Sequence, residues 1–177
     1  AVDHMVAAAR GDGFANVPAP APTWPEALIP QPSPSYPEQD AAKRGRYLAG
    51  QFGVCMECHT PHDENDSPIV TRAFEGGRGF PAMQLGLEAP PWPDVIYTSN
   101  LTPDESGIKD YDIAKLVKVI KLGIDKDDKP LCPPMPSGAM APFSGITDAD
   151  ATDIAHYLLS LAPKVNELSS CDIPTGP

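Results

Sequence analysis

Cys55-Met56-Glu57-Cys58-His59 is the stretch on which the reading of this chain turns. Two thiols separated by two residues, with an imidazole next in line, form the pattern by which a c-type haem is attached. The spacing has a chemical reason. Two thiols must add across the two vinyl groups on one side of a porphyrin, and two intervening residues give them that separation. His59 then supplies an imidazole beneath the iron as the proximal ligand. The motif occurs once, so one covalently bound haem is expected. Three other readings compete. A redox dithiol uses the same Cys-x-x-Cys, but the surrounding βαβ pattern is missing and His59 would have no purpose. A structural zinc site would recruit Cys132 and Cys171, which are isolated rather than a second close pair. A purely structural role in the core is the third.

Outward from the motif, the chain of 177 residues is long enough for one well-buried core and a peripheral arm. It carries 13 basic and 24 acidic residues, a net charge of -11. Direct binding to nucleic acid or to an anionic membrane needs clustered positive charge and is disfavoured. No apolar run approaches the ~18 residues of a membrane span. Four cysteines are too few for a disulfide-dense scaffold of this length. The 23 prolines are the outlying feature, about 13% of the chain against a usual ~5%. They limit regular structure and call for long connecting segments.

Three regions follow: a proline-rich extended arm over residues 1–39, a body over 40–166, and a tail over 167–177. Eight prolines lie between Pro18 and Pro37, with Trp24 and Tyr36 among them. Such a stretch forms neither helix nor central strand. Composition alone reads it as a solvated linker. The preferred expectation is an arm docked on its own body or on a neighbouring chain. Within the body, Asp40 is placed to cap a helix through Ala41–Ala49. A second helix is marked near 111–122 by Ile113, Leu116, Val117 and Ile120, with Asp110 and Asp112 at its positive end and Gly123 as its stop. A third starts at Thr147-Asp148-Ala149-Asp150, buries Ile154, Tyr157, Leu158 and Leu161, and is ended by Pro163. No stretch alternates strongly enough to demand a sheet. The expected fold is all-α, with long loops.

A haem in this body needs its sixth position assigned, and the candidates are Met56, Met83, Met135, Met140, His4, His62 and His156. Met56 lies inside the attachment motif, and His62 follows His59 too closely to reach the opposite face. His156 reads as a face residue of the last helix, and His4 lies in the remote arm. Met135 is flanked by Pro133, Pro134 and Pro136 in a loop with few backbone freedoms. A thioether is a weak ligand, so a stiff loop that presents it with little entropy loss suits the task. Met135 is chosen; Met140, five residues on, is the runner-up.

The chain now resembles a class I c-type cytochrome, most like the single-haem modules of periplasmic alcohol and aldehyde dehydrogenase cytochrome subunits. The resemblance rests on Gly45-Arg46-Tyr47-Leu48 ahead of the attachment motif, on Thr60-Pro61 and Gly76-Gly77, and on Asn100-Leu101-Thr102-Pro103-Asp104. Leu131 with Pro134-Met135-Pro136, and the closing helix through Tyr157-Leu158, complete it. These landmarks span roughly residues 43–166, in the family's order. The resemblance implies helices wrapped around haem c, with the first and last crossing near Gly45 and Tyr157. It supports Met135 as the distal ligand. It also places Asn100 and Thr102 near the haem propionates, where their side chains would donate hydrogen bonds; an ordinary turn is the other reading. Family members often carry a tryptophan at the position of Tyr111 and an arginine at that of Lys121. Covalent haem attachment of this kind implies an oxidising, exported compartment, where the spare Cys132 and Cys171 tend to pair.

The function these readings imply is single-electron transfer between periplasmic redox partners, from a dehydrogenase or respiratory complex to an acceptor. The protein would be a carrier or a bound subunit, not an enzyme. With His59 and Met135 on the iron, both axial sites are filled, and a methionine favours a fairly high reduction potential. The alternative is a labile or open distal site serving as a peroxidase or gas sensor. No convincing distal acid–base histidine supports it.

Overall fold

The computed structural model describes residues 24–53, 55–90, 92–135, 143–168 and 171. Helix α1 (Gln39–Tyr47) begins just before Asp40. Glu38 holds the N-cap position without a side-chain cap bond, and Asp40 instead lies in the first turn. Its charge still meets the positive end of the helix there. The helix runs on into a π-helical turn, Leu48–Phe52, closed by the Gly53 amide donating to the Leu48 carbonyl at 2.6 Å. A single helical turn, α2 (Cys55–Cys58), follows. Helix α3 (Ile113–Leu122) starts at Asp112, whose carboxylate accepts from the Lys115 amide at 2.8 Å, and stops at Gly123 with φ 63°. Helix α4 (Asp148–Leu159) starts at Thr147, whose hydroxyl accepts from the Asp150 amide at 3.1 Å. The Thr147 start of α4 and the glycine stop of α3 read from the sequence are the ones observed. Of the two aspartates expected at the positive end of α3, Asp112 is the cap; α4 ends at Leu159, ahead of Pro163.

Helices α1 and α4 cross at Gly45. A Cβ built there would sit 1.8 Å from the Asp153 carbonyl oxygen and 2.8 Å from Tyr157 Cβ, so only glycine permits this approach. Arg44 locks the crossing with two bonds to the Asp153 carboxylate, at 2.6 and 2.9 Å. Beneath lies one apolar cluster that includes Met56, Phe74, Leu116, Ile154, Tyr157 and Leu158. Phe74 meets Tyr157 edge-on, with ring centroids 5.6 Å apart.

A small antiparallel ribbon amends the all-helical expectation. Strand β1 (Gly79–Pro81) pairs with β2 (Val95–Tyr97), Phe80 opposite Ile96. Strands of three residues are too short to show an alternating pattern in sequence.

Residues 1–23 of the expected arm lie outside the described residues, but the rest of it is built into the body. Trp24 and Ile29 belong to the apolar cluster. The buried Arg46 guanidinium donates to the Ile29 carbonyl at 2.9 Å and to the Pro30 carbonyl at 3.2 Å, and pairs with Glu26 at 3.0 Å. The Tyr157 hydroxyl donates to the Pro30 carbonyl at 2.9 Å. The Tyr36 hydroxyl meets His156 Nδ1 at 2.9 Å. At the other end, Cys132 and Cys171 form a disulfide across 39 residues. Among the described residues, no helix is long and apolar enough to cross a membrane.

Candidate haem site

Helix α2 brings Cys55 and Cys58 onto one helical turn, and the His59 amide continues it by donating to the Cys55 carbonyl at 2.9 Å. Three functional positions therefore ride on one rigid turn. Met56, inside the motif, is fully buried in the apolar cluster and so anchors that turn from behind. A methyl placed on Gly53 would lie 3.4 Å from Cys55 Sγ and 3.5 Å from the Phe143 ring. Cys55 Sγ and the Phe143 ring thus both lie against Gly53, and Phe143 brings the chain that follows the proline loop back to the residues just ahead of the motif.

The surroundings of both cysteines disfavour a free thiolate. Burial pushes the Cys55 thiol up to about 12. The Cys58 thiol is also raised by burial, against the opposing pull of Arg78. Such surroundings penalise a thiolate, as a zinc ligand or dithiol nucleophile requires, and cost a neutral thioether nothing. Cys132 and Cys171 are bonded to each other, which removes the zinc reading's remaining ligands. No group of three or more metal-ligating side chains exists among the described residues.

His59 is held in one orientation and one tautomer. Its Nδ1 lies 2.8 Å from the Ser99 carbonyl oxygen, to which it must donate, because a carbonyl only accepts. Nε2 is then the nitrogen left with a free lone pair. Burial lowers the pKa of the ring, only partly offset by the Ser99 bond, so the imidazole is kept neutral and able to ligate. The bond to Ser99 is the orienting contact that metal-ligating histidines characteristically make.

The other candidates sort clearly. His62 is engaged by Asp66 at 2.9 Å and by the Glu57 carbonyl at 3.2 Å. His156 is engaged by Tyr36. Met83 is 87% exposed on a turn at Ala82–Leu85. Met135 is half-buried at the end of the proline loop, three residues from the disulfide. That loop is delivered by a hairpin after α3, where Ile124 bridges Pro130 and the Leu131 amide donates to the Gly123 carbonyl at 2.8 Å. Met140 and His4 lie outside the described residues.

Asn100 and Thr102, expected at the propionates, spend their polar atoms on the chain itself. Asn100 Nδ2 donates to the Lys164 carbonyl at 2.7 Å and to Ser106 Oγ at 3.1 Å. Asn100 Oδ1 accepts from the Thr102 amide at 2.9 Å and from its hydroxyl at 2.8 Å. Thr102 Oγ1 accepts from the Lys164 amide at 3.0 Å. Neither side chain has a free donor to turn toward a propionate. Tyr111 packs against the apolar cluster, and Lys121 pairs with Asp148 at the start of α4. Sequence reasoning missed Ser99 altogether, since its part is played by a backbone carbonyl. The adjacent Gly76-Gly77 was the available signal: Gly76 has φ 71°, and a Cβ there would lie 2.5 Å from the Ser99 oxygen.

A helical body with a thiol pair and a poised imidazole on one turn defines a covalent haem protein. The sequence model of the Cytochrome c family matches residues 42–162, and the chain belongs to that family. It carries haem c bound covalently through Cys55 and Cys58, and its role is electron transfer. The chain is 31% identical over 122 residues to one of the subunits of the nicotinate dehydrogenase of Pseudomonas putida KT2440, covering 68% of this chain and 9% of that protein. It is 32% identical over 103 residues to the cytochrome c subunit of the quinone alcohol dehydrogenase of Gluconobacter oxydans 621H, covering 58% of this chain and 18% of that one. The chain therefore spans a small part of the length of either relative.

Proposed function

We propose that this protein is a one-electron carrier whose iron is held between His59 and Met135. The observation that carries the reading is the hydrogen bond from His59 Nδ1 to the Ser99 carbonyl, which fixes the tautomer and leaves Nε2 for the metal. Bound haem c supplies the ferric/ferrous couple. The chain's part is to keep that couple from turning into catalysis. His59 is neutral and oriented, and Met135 is presented on a loop stiffened by Pro133 and Pro134. His62 and His156 are tied to other partners, so neither serves as a distal acid–base group.

Both relatives are named as dehydrogenase subunits, one a cytochrome subunit, which supports a dehydrogenase or respiratory complex as the donor. Covalent haem and a disulfide in one chain fit an oxidising, periplasmic compartment. The net charge of -11 favours partners that present basic docking surfaces and an association that weakens with salt.

Oxidised and reduced absorption spectra test the axial pair. The weak long-wavelength band of methionine on ferric iron is expected in the wild type, absent in Met135→Ala and retained in Met140→Ala. Avid carbon monoxide binding by the reduced wild type would overturn the carrier reading in favour of a gas-sensing or peroxidatic site.

A further inference from the structure

We infer that Asn100 and Thr102 are positioning residues for His59, acting through the one peptide group that stands between them. The inference rests on the reading of His59 as an axial ligand. The oxygen that accepts from His59 Nδ1 belongs to the peptide bond joining Ser99 to Asn100. Its direction is therefore set by whatever fixes the chain on either side.

Residues 98–101 run antiparallel to residues 74–78, so the ladder flanks the accepting peptide on both sides. Thr98 accepts from the Gly77 amide at 2.8 Å and donates to the Arg78 carbonyl at 3.0 Å, and the Leu101 amide donates to the Phe74 carbonyl at 2.8 Å. Gly76 also donates to the His59 carbonyl at 2.8 Å, so this strand grips the histidine and its acceptor together. On the Asn100 side, where Leu101 is the last rung of that ladder, the Asn100 side chain adds a second hold. Asn100 is 2% exposed and uses both its oxygen and its nitrogen, as described above. Thr102, 1% exposed, closes the clamp by accepting from the Lys164 amide while its own hydroxyl proton serves Asn100. Two buried side chains thereby moor the accepting peptide to the segment that follows α4.

The consequence reaches the iron. A histidine whose Nδ1 proton is firmly held is a more electron-rich ligand, which stabilises ferric over ferrous iron. Loosening the clamp lets the Ser99 oxygen drift, weakens that bond and raises the reduction potential.

The test uses the haem-loaded protein with Asn100→Ala, Thr102→Val, Thr102→Ser and, as a control, Arg44→Met. Arg44 stabilises the helix crossing and has no link to Ser99. Two quantities are read: the midpoint potential, and the solvent exchange of the His59 Nδ1 proton by NMR in the diamagnetic ferrous state. Asn100→Ala and Thr102→Val should raise the potential and speed exchange about fivefold or more, the loss of one net hydrogen bond. Thr102→Ser should stay near the wild type, and Arg44→Met should lower only the melting temperature. Should Asn100→Ala fail to fold, the Thr102 pair decides alone. If Asn100→Ala and Thr102→Val merely melt earlier, with unchanged potential and exchange, the clamp is structural and the inference is overturned. A His59 signal lacking the shift that a haem ring imposes would instead overturn the axial-ligand reading, and the clamp with it.

Discussion

At Gly45 two effects of one methyl group oppose each other, and their sizes decide the sign. Alanine gains about 1 kcal/mol over glycine in a helix interior. At this position the new Cβ would fall 1.8 Å from the Asp153 carbonyl oxygen, a backbone atom with no rotamer to escape into. Overpacking of this kind costs about 3 kcal/mol or more when the neighbour cannot yield. Gly45→Ala is therefore expected to destabilise the protein by more than about 2 kcal/mol in urea unfolding, net of the propensity gain. A stabilised variant would mean that α1 and α4 do not cross at this point. Asn100 gives the matching lesson in legibility. Its donor and acceptor groups were apparent in the sequence, and their partners were not, because Lys164 lies 64 residues away. Polar residues in a turn-forming segment announce hydrogen bonds without saying to what.

At the scale of elements, what the sequence disclosed is what is local. Asp112 with Gly123, and Thr147 with Asp150, mark ends that are observed because cap, dipole and periodicity all act within one turn. The start of α1 was placed late because its N-cap, Glu38, makes no side-chain bond to signal it. The ribbon of β1 and β2 left no pattern in three-residue strands. The attachment turn was legible since its chemistry is contiguous, whereas the Ser99 carbonyl that orients His59 stands 40 residues off. The disulfide ties two further elements, the proline loop and the tail, across a closed loop of 39 residues. In the chain-entropy account such a closure is worth up to ~4 kcal/mol. It also confines the loop three residues before Met135. Replacing both Cys132 and Cys171 by serine should therefore lower stability by an amount within that bound. The long-wavelength methionine band should then fade at a lower temperature than global unfolding, followed by absorption and circular dichroism in parallel. Coincident loss of both signals, as in the wild type, would show that the strap supports the fold but not the ligand loop.

For the whole molecule, the question is where the folding unit begins. The family match starts at residue 42, and composition invites a cut at the end of the proline-rich arm. The packing argues against that cut. Trp24 and Ile29 lie in the same apolar cluster as Met56 and Tyr157, at 6% and 2% exposure. Loss of a buried isoleucine costs about 2–5 kcal/mol and of a buried tryptophan about 3–5 kcal/mol. Removal of the segment would also strip Arg46 of its acceptors at Glu26, Ile29 and Pro30. These losses together rival the ~5–15 kcal/mol that holds a domain of ordinary stability. A chain lacking residues 1–38 is thus expected to lose cooperative thermal unfolding. A truncated chain that melts like the full one would make the arm a passenger on the surface. Retained fold with loss of a bound partner on sizing would instead return it to the role of a docking tether.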